Sequence, residues 1–566
     1  MTEIRVWAPV PKQVELFVDD HRLPMHRDPN GWWRAVTGAT EYSFILDGGD
    51  PLPDPRSAWQ PHGVHGPSGV VEHSQFRWTD RQFQAKPLSS AVIYELHIGT
   101  FTPDGTFDSA IFRLDHLASL GITHVELMPV QEFSGDWGWG YDCVDLFAPH
   151  HAYGPPDALK RLVDAAHARG LAVLLDVVYN HLGPVGNYLA RFGPYFTKTY
   201  STPWGPAVNL DNADSDEVRR FLCDNALMWL RDYHFDGLRL DAIHAIHDSS
   251  ATHFLEQLSE EVRRLEAQLG RHLLLIAESD LNDPRVVTPR EAGGYGIDAQ
   301  WSDDFHHALH AVLTGERSGY YSDFGTLADL AKSLTNVFVY DGRYSCFRRR
   351  SHGRAPGNLS RRRFLGYLQN HDQIGNRAQG ERSSVLMNAA RLKIGAALVF
   401  TAPFVPLIFE GEEFAASTPF QYFTNHHDPD VARAVTEGRR REFAAFGWDP
   451  AKIPDPQDLS AFLRSKLDWS ELDSHHDILA WYRQLIAVRP LIDHGEPPSV
   501  EFNEQDQWLI LKRGRSQTIC NVSRCAQKIP VPKRYEILLA SAQHSPVDAE
   551  IELPPESVVV LQEIFS

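Results

Sequence analysis

Short apolar segments that alternate with helical patterns limit the possible folds of this chain more than any other feature. The segments are rich in Val, Ile, Leu and aromatic residues, and the stretches between them, such as PDALKRLVDAAHARG, carry apolar residues at helical spacing. This alternation is typical of parallel strands joined by helices. Eight segments occur in order: AVIYELH from Ala91, THVELMPV from Thr123, AVLLDVV from Ala172, GLRLDAI from Gly237, LLLIAES from Leu273, DAQWS from Asp298, FLGYLQN from Phe364 and VPLIF from Val405. Eight parallel strands close into a barrel, so we predict an α/β fold with a (β/α)8 TIM barrel and its helices outside.

The two ends of the chain show a different pattern. From Ile4 to about Val71, and again after Leu491, apolar and polar residues alternate between turns rich in Pro and Gly. Such alternation favours β-sandwiches. We therefore predict an amino-terminal β-sandwich over residues 1–86, the barrel over residues 87–490 and a carboxyl-terminal β-sandwich domain over residues 491–566. A charged helical extension of the barrel is expected at about 428–475, and we expect the basic run from Arg439 to Arg441 to be a solvated face.

The composition excludes several classes of partner. The 566 residues carry a formal charge of -20, from 54 basic and 74 acidic residues. This charge repels nucleic acid and anionic lipid, so we expect neither nucleic acid nor a membrane as partner. The start, MTEIRVWAPV, lacks a signal-peptide pattern, so we predict a cytoplasmic protein. The cysteines lack paired metal-ligand spacing and are expected to be free thiols: Cys143, Cys223, Cys346, Cys520 and Cys525.

The predicted fourth strand carries a charged pair. In GLRLDAIH, Arg239 and Asp241 share one face because alternate residues of a strand point the same way. A guanidinium beside a carboxylate lowers the pKa of the carboxylate and helps to orient it. Taken alone, the pair could equally be a structural ion pair within the sheet.

Carboxylates follow three of the predicted strands. Asp241 ends the fourth strand, Glu278 follows the apolar run of the fifth, and Asp372 lies in the QNHD stretch after the seventh. The carboxyl ends of barrel strands meet at one face, where barrel enzymes carry their active sites. A single carboxylate there is usually a strand end that meets water. Three of them from three strands favour a functional site.

Two carboxylates with opposite protonation states suit the cleavage of a glycosidic bond. Asp241, beside Arg239, suits the ionised role. Glu278 has no adjacent basic residue in the sequence, so burial and neighbouring negative charge could raise its pKa into the range of a proton donor. Aromatic residues near the same strand ends offer faces for sugar rings or pack into the core: Trp137, Trp139, Tyr141, Phe420, Tyr422 and Phe423.

Four stretches, DVVYNH, GLRLDAIH, IAES and QNHD, resemble the signature regions of the α-amylase clan of glycoside hydrolases. The resemblance implies that Asp241 is the nucleophile, Glu278 the acid and base, and Asp372 the stabiliser of the transition state. Asn180 matches a calcium ligand of many α-amylases, but one oxygen ligand is not a site, so we predict no metal and no cofactor.

Longer stretches resemble the maltooligosyltrehalose trehalohydrolase family over nearly the whole chain: GLRLDAIHAI, MPVQEFSGDWGWGYD, YLQNHDQIGNR and STPFQYFTNH. This resemblance implies a barrel insert at about 182–225. It also implies retaining cleavage of maltooligosyl trehalose and related α-glucans, with trehalose as a product. A glucan branching enzyme and a non-catalytic glycan-binding barrel remain as alternatives. Within the matched stretches we predict the substrate-binding residues Arg239, His181, His244, His371, Asn370, Trp139, Tyr141, Asp142 and Tyr422.

Overall fold

Eight parallel strands form a closed barrel at the centre of the structure. The structure is a computed structural model that describes residues 1–444, 448–449, 452–492, 497–532, 534–547 and 549–564. Each of the eight segments predicted from the sequence supplies one barrel strand, and the strands follow one another around the barrel in chain order. The predicted fold class is therefore confirmed.

The regular elements fall into four consecutive parts of the chain. The first part has eight strands: β1 Thr2–Trp7, β2 Val14–Val18, β3 His21–Pro24, β4 His26–Arg27, β5 Trp32–Thr37, β6 Glu41–Leu46, β7 Pro51–Leu52 and β8 Ser68–Gly69. The second part reaches residue 208: β9 Ile93–Leu96, α1 Ile98–Phe101, α2 Phe107–Ile111, α3 Leu114–Leu120, β10 His124–Leu127, β11 Gln131–Glu132, β12 Asp145–Pro149, α4 Pro156–His167, β13 Ala172–Val177, α5 Leu189–Phe192, β14 Phe196–Thr202 and β15 Gly205–Val208.

The third part completes the barrel: α6 Ser215–Asp232, β16 Gly237–Leu240, α7 Phe254–Leu269, β17 Leu274–Ala277, β18 Ala299–Trp301, α8 Asp303–Thr314, α9 Leu327–Asn336, β19 Asp341–Ser345, β20 Arg350–Gly353, β21 Phe364–Gly366, α10 His371–Gly375, α11 Ser383–Leu386, α12 Ala389–Thr401, β22 Val405–Phe409 and α13 Pro429–Ala444. The fourth part ends the chain: α14 Leu459–Ser465, α15 His476–Val488, β23 Ser499–Asn503, β24 Trp508–Arg513, β25 Ser516–Asn521, β26 Gln527–Pro530, β27 Tyr535–Ala540, β28 Ser545–Val547, β29 Glu550–Leu553 and β30 Ser557–Glu563.

Sheets flank the barrel on both sides. At the amino end, β1, β5 and β4 form one antiparallel sheet, while β3, β2, β6 and β7 form another that β8 joins through β6. At the carboxyl end, the two sheets have the strand orders β23-β24-β25-β30-β27 and β26-β29-β28. The carboxyl-terminal sheets are tied to the barrel through Arg513, whose guanidinium donates to the carbonyl oxygens of Thr401 and Ala402 at 2.9 and 2.8 Å.

The barrel interior changes from apolar to charged along its axis. Alternate strand residues point inward, and the apolar ones among them form one buried cluster that includes Leu174, Ile276 and Leu407. Toward the carboxyl ends of the strands, the buried inward residues are charged, including Glu95 and Arg239. The apolar layers stabilise the barrel. The charged layer lies beneath the carboxyl ends of the strands, where a barrel carries its functional site.

Two segments outside the barrel strands rise around these carboxyl ends. The hairpin of β14 and β15 follows the third barrel strand. Helix α6 then begins at Ser215, so the expected limit of the insert at about 225 falls inside this helix. The second segment is α13, which comes after the eighth barrel strand. Among the described helices, none combines the length and the apolar character that crossing a membrane requires.

The segment that joins the amino-terminal sheets to the barrel is held at the opposite face by buried charges. His167 of α4 contacts Asp80 through Nδ1 at 2.8 Å and Asp236 through Nε2 at 2.9 Å. His234 also contacts Asp80, and Arg271 donates to Asp236. Both ring nitrogens of His167 face carboxylate oxygens, so both must carry protons and the ring is an imidazolium. Burial opposes this charge, but the two carboxylates prevail and raise the pKa of His167.

We predict that His167→Gln destabilises the protein more at pH 6 than at pH 9. Because the folded-state pKa of His167 is raised, its stabilising contribution is complete below the unfolded value of about 6.5 and is lost as pH rises through the folded value. Breaking a buried pair costs about 3–5 kcal/mol, so that loss is expected at pH 6. Thermal unfolding midpoints at both pH values measure the difference.

The control is His62→Gln, because His62 forms an exposed pair with Glu41 and such pairs contribute about 0–1 kcal/mol. A destabilisation by His167→Gln that stays constant from pH 6 to pH 9 would contradict the imidazolium assignment.

Candidate active site

A cleft of about 680 Å³ opens at the carboxyl ends of the barrel strands. All three predicted carboxylates, Asp241, Glu278 and Asp372, line it. Most of the predicted substrate-binding residues line it as well: Trp139, Tyr141, His181, His244, His371 and Tyr422. The chain thus brings residues from six barrel strands and their following loops to one place.

The guanidinium of Arg239 forms the floor of this cleft. Arg239 is fully buried, and its Nη1 donates to both carboxylate oxygens of Asp176 at 2.9 and 2.7 Å. The same Nη1 donates to Asp241 Oδ1 at 2.8 Å, and Nη2 lies 3.2 Å from Glu278 Oε2. Below, the guanidinium lies 4.4 Å from the ring centroid of Trp301. One cation therefore fixes three carboxylates, two of which face the cleft.

Asp241 is held in its ionised form. Asn180 donates from Nδ2 to Asp241 Oδ2 at 2.8 Å, and its side-chain oxygen Oδ1 contacts His181 Nδ1 at 2.5 Å. Burial opposes ionisation, but the charge of Arg239, the proximity of His181 and the hydrogen bond from Asn180 outweigh it and lower the pKa of Asp241. A buried carboxylate that stays ionised and keeps one face open to a cleft is suited to nucleophilic attack.

The pKa of Glu278 is shifted in the opposite direction. Burial raises the pKa of Glu278 well above its ordinary value, and the negative charges of Asp241 and Asp372 add to this rise while Arg239 opposes it. Glu278 has no adjacent basic residue in the sequence, but in space Arg239 of the adjacent barrel strand lies beside it. The backbone N–H of Ala242 also lies 2.6 Å from Glu278 Oε2. Ala242 adopts a left-handed conformation, with φ of 37°, and such strain is common at active sites.

His371 and Asp372 begin the short helix α10. Both ring nitrogens of His371 are in use: Nδ1 donates to Glu95 at 2.5 Å, and Nε2 donates to the Tyr141 hydroxyl at 2.8 Å. Burial lowers the pKa of His371, but Glu95 and Asp372 outweigh it and raise the value to about 9. The Tyr141 hydroxyl continues the chain to Asp176 at 2.6 Å. His371 is therefore a fixed cation beside Asp372, with Nε2 to Oδ1 at 3.6 Å.

Three predicted substrate-binding residues lie behind the cleft rather than in its wall. Arg239 acts beneath the carboxylates, as described. Asn370 is fully buried, and its side chain caps α10 by accepting from the backbone N–H of Asp372 and Gln373. Asp142 contacts His426 at 3.5 Å, and burial raises the pKa of Asp142. Arg239 and Asn370 thus support residues that face the cleft, whereas Asp142 contacts His426, which lies outside the cleft lining.

The predicted aromatic residues also fall into two groups, those that face the cleft and those that lie outside its lining. Trp139, Tyr141 and Tyr422 face the cleft, whereas Phe420 and Phe423 are fully buried and pack behind Trp139. The Trp139 indole stacks on Phe420 with ring centroids 5.2 Å apart. Trp137 lies outside the cleft lining and stacks on Phe462. Alternation along the strand could not separate these residues, because all of them lie in loops.

Two parts of the cleft wall were not anticipated. Trp204, at the turn between β14 and β15, stacks on His181 with centroids 4.3 Å apart and an interplanar angle of 11°. Arg439 of α13 also lines the cleft, whereas Arg440 and Arg441 are exposed as expected. The basic run gave no signal that its first member turns inward. An aromatic residue in a Pro-Trp-Gly turn after the third strand was a signal for Trp204.

One cluster among the described residues has side chains of the types that hold metals. Glu132, His150 and His151 place their donor atoms within 4.8 Å of one another. Both oxygens of Glu132 already contact imidazole nitrogens, at 3.2 Å for His150 and 2.7 Å for His151. Hydrogen bonds account for this cluster, which lies outside the cleft lining.

Comparisons with known proteins agree with this geometry. Residues 74–200 match the family model for the α-amylase catalytic domain. A putative α-amylase from Salmonella typhimurium has a solved structure that resembles this one with a TM-score of 0.91, at 38% identity over 99% of this chain and 97% of that chain. The fold and the cleft thus define a glycoside hydrolase of the α-amylase type.

Relatives that match nearly the full length of the chain identify its family within this class of glycoside hydrolases. The chain is 48% identical to the malto-oligosyltrehalose trehalohydrolase of Mycobacterium tuberculosis over 99% of both chains. It is 52% identical to that of Arthrobacter ramosus over 94% of this chain and 95% of the relative. The chain belongs to the malto-oligosyltrehalose trehalohydrolase family.

We predict that Gly375→Ala damages the cleft through Trp139. A Cβ at Gly375 would lie 2.0 Å from two carbon atoms of the Trp139 ring, so the indole must move. Overpacking of this kind costs about 1–3 kcal/mol of stability. Displacement of a cleft residue should lower kcat/KM by about tenfold to a hundredfold. Thermal unfolding and steady-state kinetics measure the two effects.

The control for stability is Gly438→Ala on α13, where a Cβ meets no atom within 4 Å. This change should raise stability by up to about 1 kcal/mol, since Ala favours a helix more than Gly does. Unchanged stability and unchanged kcat/KM in Gly375→Ala would refute the role given to the close packing of Trp139.

Proposed function

We propose that this chain cleaves the α-1,4-glucosidic bond next to the trehalose end of maltooligosyl trehalose, and releases trehalose and a maltooligosaccharide. The observation that carries the mechanism is the position of Asp241 and Glu278 on one buried guanidinium, with the pKa of the first lowered and that of the second raised. Glycosidases need this combination, because one carboxyl must be ionised and the other must hold a proton.

In the first step, Asp241 attacks the anomeric carbon while Glu278 gives its proton to the oxygen of the departing trehalose. The bond between the anomeric carbon and that oxygen breaks, and an ester to Asp241 forms. The ionised state of Asp241 supplies the electron pair, and the proton on Glu278 neutralises the leaving oxygen. Arg239 keeps both carboxyl groups in place.

In the second step, trehalose has left and a water molecule occupies its place beside the ester. Glu278, now ionised, removes a proton from the water as it attacks the same carbon, and Asp241 leaves as a carboxylate. Two inversions at one carbon retain its configuration. The charges of both residues are then those of the starting state.

The remaining cleft residues act on the sugar itself. We assign Asp372 to the stabilisation of positive charge in the transition state, His181 to a hydrogen bond with the same sugar ring through its Nε2, and His371 to the wall of the cleft as a fixed cation beside Asp372. Trp139, Tyr141 and Tyr422 supply flat faces along the cleft, which suit the apolar faces of glucose units. These are the groups that an α-glucan substrate requires.

Two alternatives use the same cleft differently. A branching enzyme would pass the glycosyl group from Asp241 to a sugar hydroxyl instead of water. A non-catalytic glycan-binding barrel would need neither the ionised Asp241 nor the protonated Glu278. The opposed pKa shifts favour catalysis over binding alone, and the full-length similarity to trehalohydrolases favours hydrolysis over glycosyl transfer. All five cysteines are free, which favours the cytoplasm as the compartment.

Products of the natural substrate test this function. Incubation with maltooligosyl trehalose should release trehalose, and the maltooligosaccharide should first appear as the α-anomer, because the displacement is double. Proton NMR during the first turnovers distinguishes the anomers, and chromatography identifies trehalose. A first product of β-configuration would exclude the ester intermediate. Branched glucan without free trehalose would favour the branching alternative.

We also predict that Glu278→Gln and Asp241→Asn differ in rescue. Glu278→Gln should lower kcat on the natural substrate by about a hundredfold to ten-thousandfold, since general acid catalysis is worth that much. With α-maltosyl fluoride, whose leaving group needs little protonation, Glu278→Gln should recover much of its first-step rate. Asp241→Asn should not recover, because it lacks the attacking group. Fluoride release in a rapid-mixing experiment measures the first step.

The matched control is Glu126→Gln. Glu126 is buried in the same barrel, and burial raises its pKa well above the ordinary value, which favours the neutral carboxyl that Gln resembles. Both Glu126 oxygens lack hydrogen-bond partners among the described residues, and the side chain lies outside the cleft lining. Glu126→Gln should keep its activity. Equal recovery of Glu278→Gln and Asp241→Asn would show that the roles of acid and nucleophile are wrongly assigned.

A further inference from the structure

Helix α13 supplies one arginine that the two displacement steps do not use. Arg439 lies in the cleft wall, with its guanidinium 4.4 Å from the ring centroids of both Tyr422 and Phe443. Its Nη2 donates to the carbonyl oxygen of Gly375 at 2.7 Å, and its Nη1 donates to Asn376 Oδ1 at 2.8 Å. Arg439 is therefore held between two rings and binds the last turn of α10.

The contact with Asn376 has a consequence for Asp372. A guanidinium only donates hydrogen bonds, so the Asn376 oxygen must face Arg439 and the amide nitrogen must point the other way. That nitrogen donates to Asp372 Oδ1 at 3.4 Å. With Arg439 in place, the carboxylate of Asp372 faces a donor. Without it, the amide could turn and present its oxygen to the carboxylate.

Asp372 depends on such a contact because little else fixes its side chain. Its backbone N–H is anchored by Asn370 Oδ1 at 2.9 Å, but its side chain is 38% exposed. Its ion-pair contact is with His371, whose Nε2 lies 3.6 Å from Asp372 Oδ1. The Asn376 hydrogen bond is long in the free enzyme, and contacts of this kind commonly shorten when substrate binds.

We propose that Arg439 is a positioning residue that orients Asp372 through Asn376, so that a helix outside the barrel sets the geometry of a carboxylate inside the cleft. The proposal rests on the role of Asp372 in the proposed function. It differs from a direct contact between Arg439 and the sugar, because a positioning residue changes kcat, whereas a contact made equally in the ground and transition states changes KM.

We call the chain of contacts from Arg439 through Asn376 to Asp372 the relay. Three variants test it. Arg439→Met keeps an apolar stem between the two rings but removes every donor, and Asn376→Ala removes the amide. Each should lower kcat on maltooligosyl trehalose by about tenfold to a hundredfold, the usual effect of a hydrogen bond to a charged group, with KM within about threefold of wild type. Arg439→Lys keeps one donor toward the Asn376 oxygen and should restore part of kcat.

A double variant and a control complete the test. Arg439→Met combined with Asn376→Ala should be no worse than the more damaged single variant, because both changes break one chain of contacts. Arg441→Met removes the same charge from the same helix, but Arg441 is 72% exposed and, within the described part of the chain, forms an ion pair with Glu437 on the helix surface. It should match wild type in kcat, KM and thermal unfolding.

Other results would overturn either the relay or the role that the proposed function gives to Asp372. Multiplicative losses in the double variant, or a raised KM with unchanged kcat in Arg439→Met, would refute the relay. Loss of kcat that follows a fall in thermal stability, with no recovery in Arg439→Lys, would assign Arg439 a structural role only. Asp372→Asn is measured beside them: if it is inactive while the Arg439 and Asn376 variants turn over normally, the relay alone fails. If Asp372→Asn is active, the proposed function of Asp372 fails.

Discussion

The active end of this barrel depends on one buried guanidinium. Arg239 touches Asp176, Asp241 and Glu278, each delivered by a different barrel strand or by the loop that follows one. Without the cation, three carboxyl groups would share a water-poor space, and the loss of one partner of a buried ion pair costs about 3–5 kcal/mol. Asp176 lies outside the cleft lining and anchors the guanidinium. The other two face the substrate space, and their positions follow from this anchor.

The same cation serves two carboxyl groups with opposite pKa shifts, and the difference lies in their other neighbours. Asp241 gains a hydrogen bond from Asn180 and a favourable electrostatic contribution from the nearby His181, and with Arg239 these overcome burial. Glu278 meets the negative charges of Asp241 and Asp372, which add to burial. The site therefore sets protonation by the balance of donors and negative charges around each group. This balance gives an ionised nucleophile and a protonated acid at one pH.

Elements outside the barrel complete the site without supplying its carboxylates. The β14–β15 hairpin brings Trp204 over His181, and α13 brings Arg439 against Asn376. Such additions to a conserved barrel scaffold are the usual way in which one fold accommodates many substrates. At the opposite face, the charged contacts of His167 tie the amino-terminal connection to α4 and β16, so the flanking sheets and the barrel are joined by buried charges.

The sequence by itself determined the eight barrel strands and the three carboxylates, because both are local signals. An apolar run of strand length followed by a polar residue, as in LLLIAES before Glu278, needs no knowledge of distant residues. Only the tertiary structure decided which residues meet. Glu278 lies beside Arg239 because adjacent strands are in register, and Arg439 turns inward while Arg440 and Arg441 face solvent because successive residues of a helix point about 100° apart. Contacts between residues far apart in the chain depend on strand register and on the path of the loops, and no local pattern contains that information.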